Sequence, residues 1–450
     1  MIHKFLFGLS HALKHKNFLS YYNIAKRQEY ASYKKLKQNQ EKKLQKLIHF
    51  SYNNVPYYHR LLKNLGLKPD DIQSIEDLQK LPILTKEIIR NNQRDFIPNN
   101  LKEQKYVNQS TAGSTGEPLQ YRLSKEDEIL GLAIMYALSW GYAGYELGDR
   151  VAVIAGSSLM PSAKSKLIDN IKAFMMNYKK YSSFDLNDKY MGEIVAGLNK
   201  FKPKYLRGYA SSIYLFAKHI KDNDLNIDFH PKGVFTTAEV LFDFQRELIE
   251  DTFDCKVFNQ YGLNDGGISA FECEMHKGLH VDMIRSIMEV TDENGKQLEA
   301  GKEGHILATS LHNYAMPFIR YDTGDLGVLA CERCECGRET PMLEKIVGRV
   351  SDFIYTPDGT KIHGEFFSHI FWEFNWVKQF QIVQRTVDEV IVKIIPDSKS
   401  KINEDDLERM KKIMLNRTGK MNIIVEMVDE IATTKAGKWK FIVREGETRL

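Results

Sequence analysis

Ser110-Thr111-Ala112-Gly113-Ser114-Thr115-Gly116-Glu117-Pro118 crowds four hydroxyl side chains around two glycines ahead of a proline. Glycine lets a backbone approach an anion and turn its N–H groups inward, and Ser and Thr hydroxyls add donors toward phosphoryl oxygens. The stretch therefore reads as a phosphate loop. It is not a Walker A loop, because the Gly-Lys-Ser/Thr ending that brings a lysine to the β/γ-phosphates is missing. The competing reading is a surface turn, the ordinary fate of a Ser/Thr/Gly run. The rest of the chain decides between the two.

C-terminal to the loop, the chain alternates. Leu123 to Tyr142 is helical in length, with Ser124 ahead of Asp127 and Glu128 as a first turn. Val151-Ala152-Val153-Ile154-Ala155-Gly156 is a short apolar run ending in glycine, the pattern of a buried strand that feeds a loop. Lys204–Tyr209 and Gly233–Glu239 repeat it. Strands alternating with helical stretches imply α/β units on a mostly parallel sheet, whose ligands bind beyond the carboxyl ends of the strands. From about 281 to 330 the grammar changes: Ser286–Thr291 and Gly304–Thr309 alternate about a turn at Asp292–Lys296, which predicts antiparallel hairpins. Beyond Arg349 come a further turn at Thr356–Thr360, a strand Val390–Ile395, a helix Glu404–Arg417 and a strand Ile423–Glu426. The fold expected is α/β: a large N-terminal domain over 1–348 with an antiparallel β portion, and a small, mobile α+β domain over 349–450.

Before the loop, residues 11–50 carry no Gly or Pro and are rich in Lys, Gln, Tyr and Leu, which predicts amphipathic helix within a helical extension over about 1–80. A solvated basic face is the reading preferred for Lys14 to Lys46; weak association with an anionic membrane surface is the alternative. Thr85 is placed to cap the helix that follows Leu81–Thr85.

At 450 residues the chain exceeds one ordinary core. Its 63 basic residues against 59 acidic ones give a net charge of only +4, which makes no case for nucleic acid as a partner. With neither a long apolar segment nor a leader pattern at Met1–Leu9, the protein is expected to be cytoplasmic. Five cysteines are too few and too clustered for a disulfide scaffold, and they point to reduced thiols or metal ligands.

Four later stretches follow the loop in order: Tyr261-Gly262-Leu263-Asn264-Asp265; Arg320-Tyr321-Asp322-Thr323-Gly324-Asp325; Gly348-Arg349 with Asp352; and Lys435-Ala436-Gly437-Lys438. Their order and spacing resemble the adenylate-forming enzymes (acyl-CoA synthetases, peptide-synthetase adenylation domains and luciferases), and within them the phenylacetate-CoA ligase-like branch associated with capsular polysaccharide biosynthesis. The resemblance covers nearly the whole chain. It implies ATP phosphates on Ser114, Thr115 and Gly116, adenine stacked on Tyr261, the ribose diol on Asp325, Mg²⁺ near Asp265, and Glu239 and Arg349 near the nucleotide. Lys438 would be the mobile lysine at the α-phosphate, where charge gathers as a carboxylate attacks. The chain departs from the family at Glu117, where many members have Lys, at Asn264-Asp265 in place of Thr-Glu, at Ala432, where a proline is common, and at the hinge, where Ser351 and Asp352 compete for one position.

The same branch carries a Cys/His and Cys-x-Cys-Gly pattern, matched by Cys273 and His280 with Cys334 and Cys336; His276 and Cys331 are the substitutes. Four protein ligands would make a structural Zn²⁺ site. The function implied is AMP-forming activation of a small carboxylic acid by ATP and Mg²⁺, then acyl transfer to CoA, a carrier-protein thiol, or a sugar amine or hydroxyl. The alternative is a noncatalytic nucleotide-binding or scaffold member of a glycan-assembly complex.

Overall fold

The structure is a computed structural model that describes residues 7–8, 15–111, 118–156, 171, 173–183, 188–349, 353–372, 374, 376–397, 404–419, 421–432 and 439–445. The chain divides into two compact units, residues 1–241 with 246–347, and residues 242–245 with 348–450.

In the first unit a short hairpin, β1 (Tyr106–Ser110) and β2 (Gln120–Ser124), flanks the residues between them. The main sheet uses β3 (Val151–Ala155), β4 (Tyr178–Ser182), β5 (Tyr205–Tyr209), β6 (Gly233–Thr237), β7 (Lys256–Gly262), β8 (Ser269–Glu272), β9 (Leu279–Val281), β10 (Ser286–Thr291), β11 (Glu303–Ser310), β12 (Tyr321–Leu329) and β13 (Met342–Arg349). Among the described residues its order is β10-β11-β12-β13-β9-β8-β7-β6-β5-β3-β4. The block from β4 to β7 is parallel. The strands beyond it pair antiparallel at β7–β8, β8–β9, β9–β13, β12–β11 and β11–β10. This is the expected α/β sheet with an antiparallel portion.

The period of two sorts the parallel block onto two cores. Ala152, Ile154, Leu206, Val234 and Val257 pack against helices Asp188–Phe201, Ala210–Asp222 and Asp243–Phe253. Their neighbours Val151, Val153, Tyr205, Tyr209, Phe235 and Phe258 face Phe18, Ala133, Tyr136, Trp140 and Tyr145. The second of these layers is aromatic, with Trp140 stacked on Phe235 at 4.9 Å.

The antiparallel portion is covered by the N-terminal helices. Helix Tyr33–Asn54 is polar overall yet buries Leu36, Leu44, Leu47 and Ile48 on one stripe, worth about 6–12 kcal/mol before entropy. Its lysines are not all on a solvated face: Lys37 pairs with Glu76 at 2.6 Å, and Lys43 reaches inward to the Ile284 carbonyl at 2.6 Å, its pKa drawn down by burial. That corrects the expected basic face at Lys43. No described helix is long and apolar enough to cross a membrane.

The helix expected over Leu123–Tyr142 forms as an α-helix Lys125–Ile134, a π-helical turn Met135–Ser139 and a last turn Trp140–Tyr142. Ser124 does not cap it; its hydroxyl donates to Asn313 Oδ1 (3.1 Å) and accepts from the Ala315 N–H (3.0 Å). Asp127 likewise leaves the helix surface, fully buried against Arg285 at 2.7 Å.

The second unit holds a hairpin, β14 (Phe353–Tyr355) with β15 (Lys361–His363), turning through Gly359 at φ +82°. A separate sheet combines β16 (Val377–Thr386), β17 (Glu389–Pro396), β18 (Asn422–Met427) and β19 (Ile442–Arg444) in the order β18-β17-β16-β19. Helix Gly364–Trp372 and helix Glu404–Thr418 supply Phe367, Ile370, Met410 and Met414 to its core, which also holds Ile382 and Val392. Trp439 is buried there, its indole N–H donating to the Phe380 carbonyl at 3.0 Å.

Candidate functional site

Asp325 owes its place to an irregularity in β12. His305 opposes Leu326 and Leu307 opposes Asp322, so β12 spends two more residues than β11 on the same span. Such a bulge bends the strand and re-aims a side chain. Gly324 sits within it at φ +76°, a conformation an L side chain avoids, and its N–H donates to Asp322 Oδ1 at 2.9 Å. The Thr323 hydroxyl donates to the Ile306 carbonyl (2.8 Å) and accepts from the Asp325 N–H (3.1 Å), which fixes the backbone on both sides of the carboxylate. Asp325 is 6% exposed, and its Oδ2 accepts from the Tyr261 hydroxyl at 2.9 Å. Tyr261 stands near the carboxyl end of the last parallel strand, β7, where ligands of such sheets bind.

Asp265 lies in the turn between β7 and β8. The two glycines after it are required by close approach: a Cβ on Gly266 would stand 2.8 Å from Ala308 Cβ, and one on Gly267 2.6 Å from the Ser310 hydroxyl. Asp265 is buried and accepts from the Tyr321 hydroxyl at 2.7 Å; burial, reinforced by that carboxylate, pushes the Tyr321 pKa far up, so the phenol stays a donor. Tyr261, Asp265, Tyr321 and Asp325 are thus brought together. The Lys86 ammonium, which sequence reasoning passed over, donates to the Thr323 carbonyl at the bulge at 3.4 Å; it follows Thr85, whose hydroxyl caps its helix as expected, accepting from the Ile88 N–H at 3.2 Å.

Glu239 accepts from the Ser211 N–H at 2.9 Å, in the first turn of helix Ala210–Asp222, where a carboxylate meets the positive end of the helix dipole. Before it, Ala238 holds φ +70°, the position where the family resembled often has glycine. Arg320 is drawn away from any ligand: it is buried, pairs with Glu289 at 3.1 Å and donates to the Leu81 carbonyl at 2.7 Å. Arg349 ends β13. Ser114, Thr115, Gly116, Glu117, Ser351, Asp352 and Lys438 lie outside the described residues.

A second constellation lies behind the sheet. Cys273 follows β8, His280 is the middle residue of β9, and Cys334 and Cys336 come from the loop after β12; their ligand atoms all lie within 4.8 Å of one another. The Cys273 and Cys334 sulfurs are 3.6 Å apart, and Cys336 Sγ is 3.3 Å from His280 Nε2. Tetrahedral zinc sets such edges at about 3.8 Å for two sulfurs and about 3.5 Å for sulfur and nitrogen, so the donor set fits that ion. His280 Nδ1 lies 2.9 Å from the Thr340 hydroxyl, a partner that turns Nε2 toward the sulfurs. Burial, with Arg338 nearby, lowers the His280 pKa to about 4, so the imidazole is neutral and able to ligate. His276 instead faces Glu272 at 3.6 Å and Cys331 is exposed, so neither is among the four. Gly337, closing Cys-x-Cys-Gly, has φ +84°.

Arg338 ties this cluster to the first helices. It pairs with Glu29 at 2.7 Å and Glu274 at 2.9 Å and lies over the Tyr142 ring at 4.0 Å. Burial alone would raise the Cys336 pKa; the Arg338 N–H and guanidinium outweigh it and lower it. Cys273 and Cys334 sit among Ala25, Leu130, Ile134 and Phe271 in an apolar core.

Residues 354–445 match the family described as the CapK C-terminal domain. Protein CapK of Staphylococcus aureus is 26% identical over 90% of this chain and 88% of its own length. Phenylacetate-coenzyme A ligase of Thermus thermophilus is 27% identical over 71% of this chain and 72% of its own length. A crystal structure of 2-hydroxyisobutyryl-CoA ligase in the postadenylation state, in complex with R3-HIB-AMP, covers 94% of this chain and 92% of that chain with a TM-score of 0.75 at 20% identity. The fold is that of the adenylate-forming ligases, an AMP-forming class of enzyme. In sequence the chain is similar both to phenylacetate-CoA ligase and to CapK, and its residues 354–445 match the CapK C-terminal domain.

Proposed function

We propose that the protein activates a small carboxylic acid with ATP, releasing pyrophosphate, and passes the acyl group of the adenylate to a thiol, CoA first among the candidates. A carrier-protein thiol, or a sugar amine or hydroxyl in surface-polysaccharide synthesis, is the second acceptor reading, supported by the likeness to CapK. The observation that carries the proposal is the Tyr261–Asp325 pair at the carboxyl end of β7, with Asp265 and Tyr321 beside it. A carboxylate held at Asp325 accepts from two vicinal hydroxyls at once, which suits a ribose diol. Tyr261 offers its ring to a base and its hydroxyl to Asp325. Asp265 is the residue we assign to Mg²⁺, which takes oxygen ligands and would neutralise phosphate charge.

Lys438 is assigned to the α-phosphate, supplying a cation where charge develops in the transition state. The phosphates are assigned to the backbone and hydroxyls of Ser114, Thr115 and Gly116. Cys273, His280, Cys334 and Cys336 would hold a structural Zn²⁺, clipping the loop after β12 to β8 and β9. A panel of acids assayed for Mg²⁺-dependent pyrophosphate release tests the reading; ATP binding with no release from any acid would favour the scaffold alternative.

A further inference from the structure

Arg207 is the side chain that the ligase reading leaves unexplained. It occupies the middle of β5, in register with Val153 of β3 and Phe235 of β6. Its neighbours Tyr205, Leu206, Gly208 and Tyr209 are all buried, whereas Arg207 keeps partial exposure. It projects on the aromatic side of the sheet, its guanidinium over the Trp140 ring at 5.2 Å. Trp140 directly follows the π-helical turn Met135–Ser139, and inserted turns of this kind recur at functional sites.

Among the described residues the guanidinium has no counter-charge. Its Nε is buried without a hydrogen-bond partner, and no hydrogen bond or ion pair to Arg207 occurs among the described residues. The ionisable groups that act on it electrostatically are the hydroxyls of Tyr178, Tyr136 and Tyr209. Burial pushes the Tyr136 pKa up to about 12 and that of Tyr178 well above its usual value, so both are neutral. Three buried arginines are paired with carboxylates, Arg285 with Asp127, Arg320 with Glu289 and Arg338 with Glu29, whereas Arg122, half-buried like Arg207, also has an unpartnered Nε and lies over the Tyr106 ring. An arginine whose Nε is buried without a partner is a cost to folding that an anionic ligand removes, and its planar fork matches a carboxylate bidentately.

Arg207 is within reach of the nucleotide side. Arg207 stands level with Phe258 of β7, three residues before Tyr261 and two strands across. At about 3.3 Å per residue and about 4.8 Å per strand the two Cα atoms are about 14 Å apart, a gap that the arginine side chain and a short acyl chain close together.

We propose that Arg207 is a specificity-determining residue of the acid-binding site, and that the acid activated is a dicarboxylic acid whose second carboxylate pairs with the Arg207 guanidinium. This rests on the ligase reading and names its substrate class.

The test compares matched acids on the full chain: succinate with butyrate, glutarate with valerate, adipate with hexanoate, each by pyrophosphate release. The best dicarboxylate is expected to exceed its monocarboxylate partner in kcat/KM by about 10²-fold or more, because the apolar analogue leaves the guanidinium buried and unpaired. Arg207→Met should erase that preference, and Arg207→Lys, charged but not bidentate, should retain part of it, with ATP binding unchanged in both. Should either variant fail to bind ATP, the wild-type pairs decide alone. Release with monocarboxylates as efficient as with their partners, or a preference that survives Arg207→Met, overturns the assignment and leaves the ligase reading standing. No release from any acid overturns both.

Discussion

Asp325→Asn separates the nucleotide assignment from a structural role, because it keeps the side chain's shape and removes its charge. The wild-type carboxylate accepts from Tyr261 at 2.9 Å through one oxygen, and its exposure of 6% leaves little room for water to take a lost partner's place. A hydrogen bond to a charged group contributes about 1.5–3 kcal/mol and a neutral one about 0.5–1.5. Reducing two ribose contacts from the first kind to the second therefore costs about 2–3 kcal/mol, or about 30- to 150-fold in kcat/KM for ATP. The assay is pyrophosphate release with ATP and with its 2′-deoxy and 3′-deoxy analogues. The wild type should lose heavily on each analogue, and Asp325→Asn should lose much less further, since the interaction is already weakened. Tyr261→Phe should raise KM for ATP with a smaller effect, because it removes one donor to the carboxylate without discharging it. An unchanged KM for ATP in Asp325→Asn, or an equal deoxy penalty in variant and wild type, would refute the ribose assignment.

Asp127→Ala leaves Arg285 buried without its counter-ion and is expected to cost about 3–5 kcal/mol of stability, read by denaturant unfolding; a loss below about 1 kcal/mol would mean the pair is not shielded as its 2.7 Å contact and burial imply. Metal analysis of protein prepared without chelator should return about one zinc per chain, and Cys334→Ser should lower the melting temperature more than it alters KM for ATP, since the cluster lies in an apolar core; zinc-free protein of full stability would end the assignment. Lys438→Ala should abolish pyrophosphate release while ATP affinity barely changes, and should still transfer an acyl group from synthetic adenylate; equal loss of both steps, or undiminished release, would show Lys438 to be misassigned.

The parallel block was legible because buried strands leave a signature that distant contacts do not alter: Val151–Gly156, Lys204–Tyr209 and Gly233–Glu239 are mostly uncharged runs of strand length, and each forms its strand within two residues of the expected bounds. Hairpin turns were legible for the same local reason, Gly295 and Gly359 both taking φ near +80°. What escaped was set by partners far along the chain. Asp127 has the local look of a dipole-complementing acid in a first turn, yet it points at Arg285, 158 residues on. Gly131, one turn later on the same helix, looks like a propensity defect until its neighbour is known: a Cβ there would meet the Arg285 guanidinium at 2.8 Å. Four cysteines and two histidines allow several ligand sets, and only the pairing of β9 with β8 and β13 selects His280 over His276.

The bulge in β12 shows how far a short stretch can carry both kinds of information. Asp322-Thr323-Gly324-Asp325 is locally consistent: an Asp accepts from the Gly N–H, a Thr accepts from the next N–H, and glycine takes the one conformation the others avoid. A sheet needs none of this, since a regular strand would bury the same apolar area without leaving backbone pairs unmade. The extra residues have one evident product, a carboxylate delivered to the Tyr261 hydroxyl. Arg207 reverses the argument on the same sheet. There the strand is regular and the side chain is the anomaly, a half-buried cation kept among aromatic rings and neutral hydroxyls. Each feature costs the fold something that packing does not return, and a ligand is what we propose for each: a diol at Asp325, a carboxylate at Arg207. The two assignments are independent in what they predict, since deoxy-ATP analogues probe the first and matched acids the second.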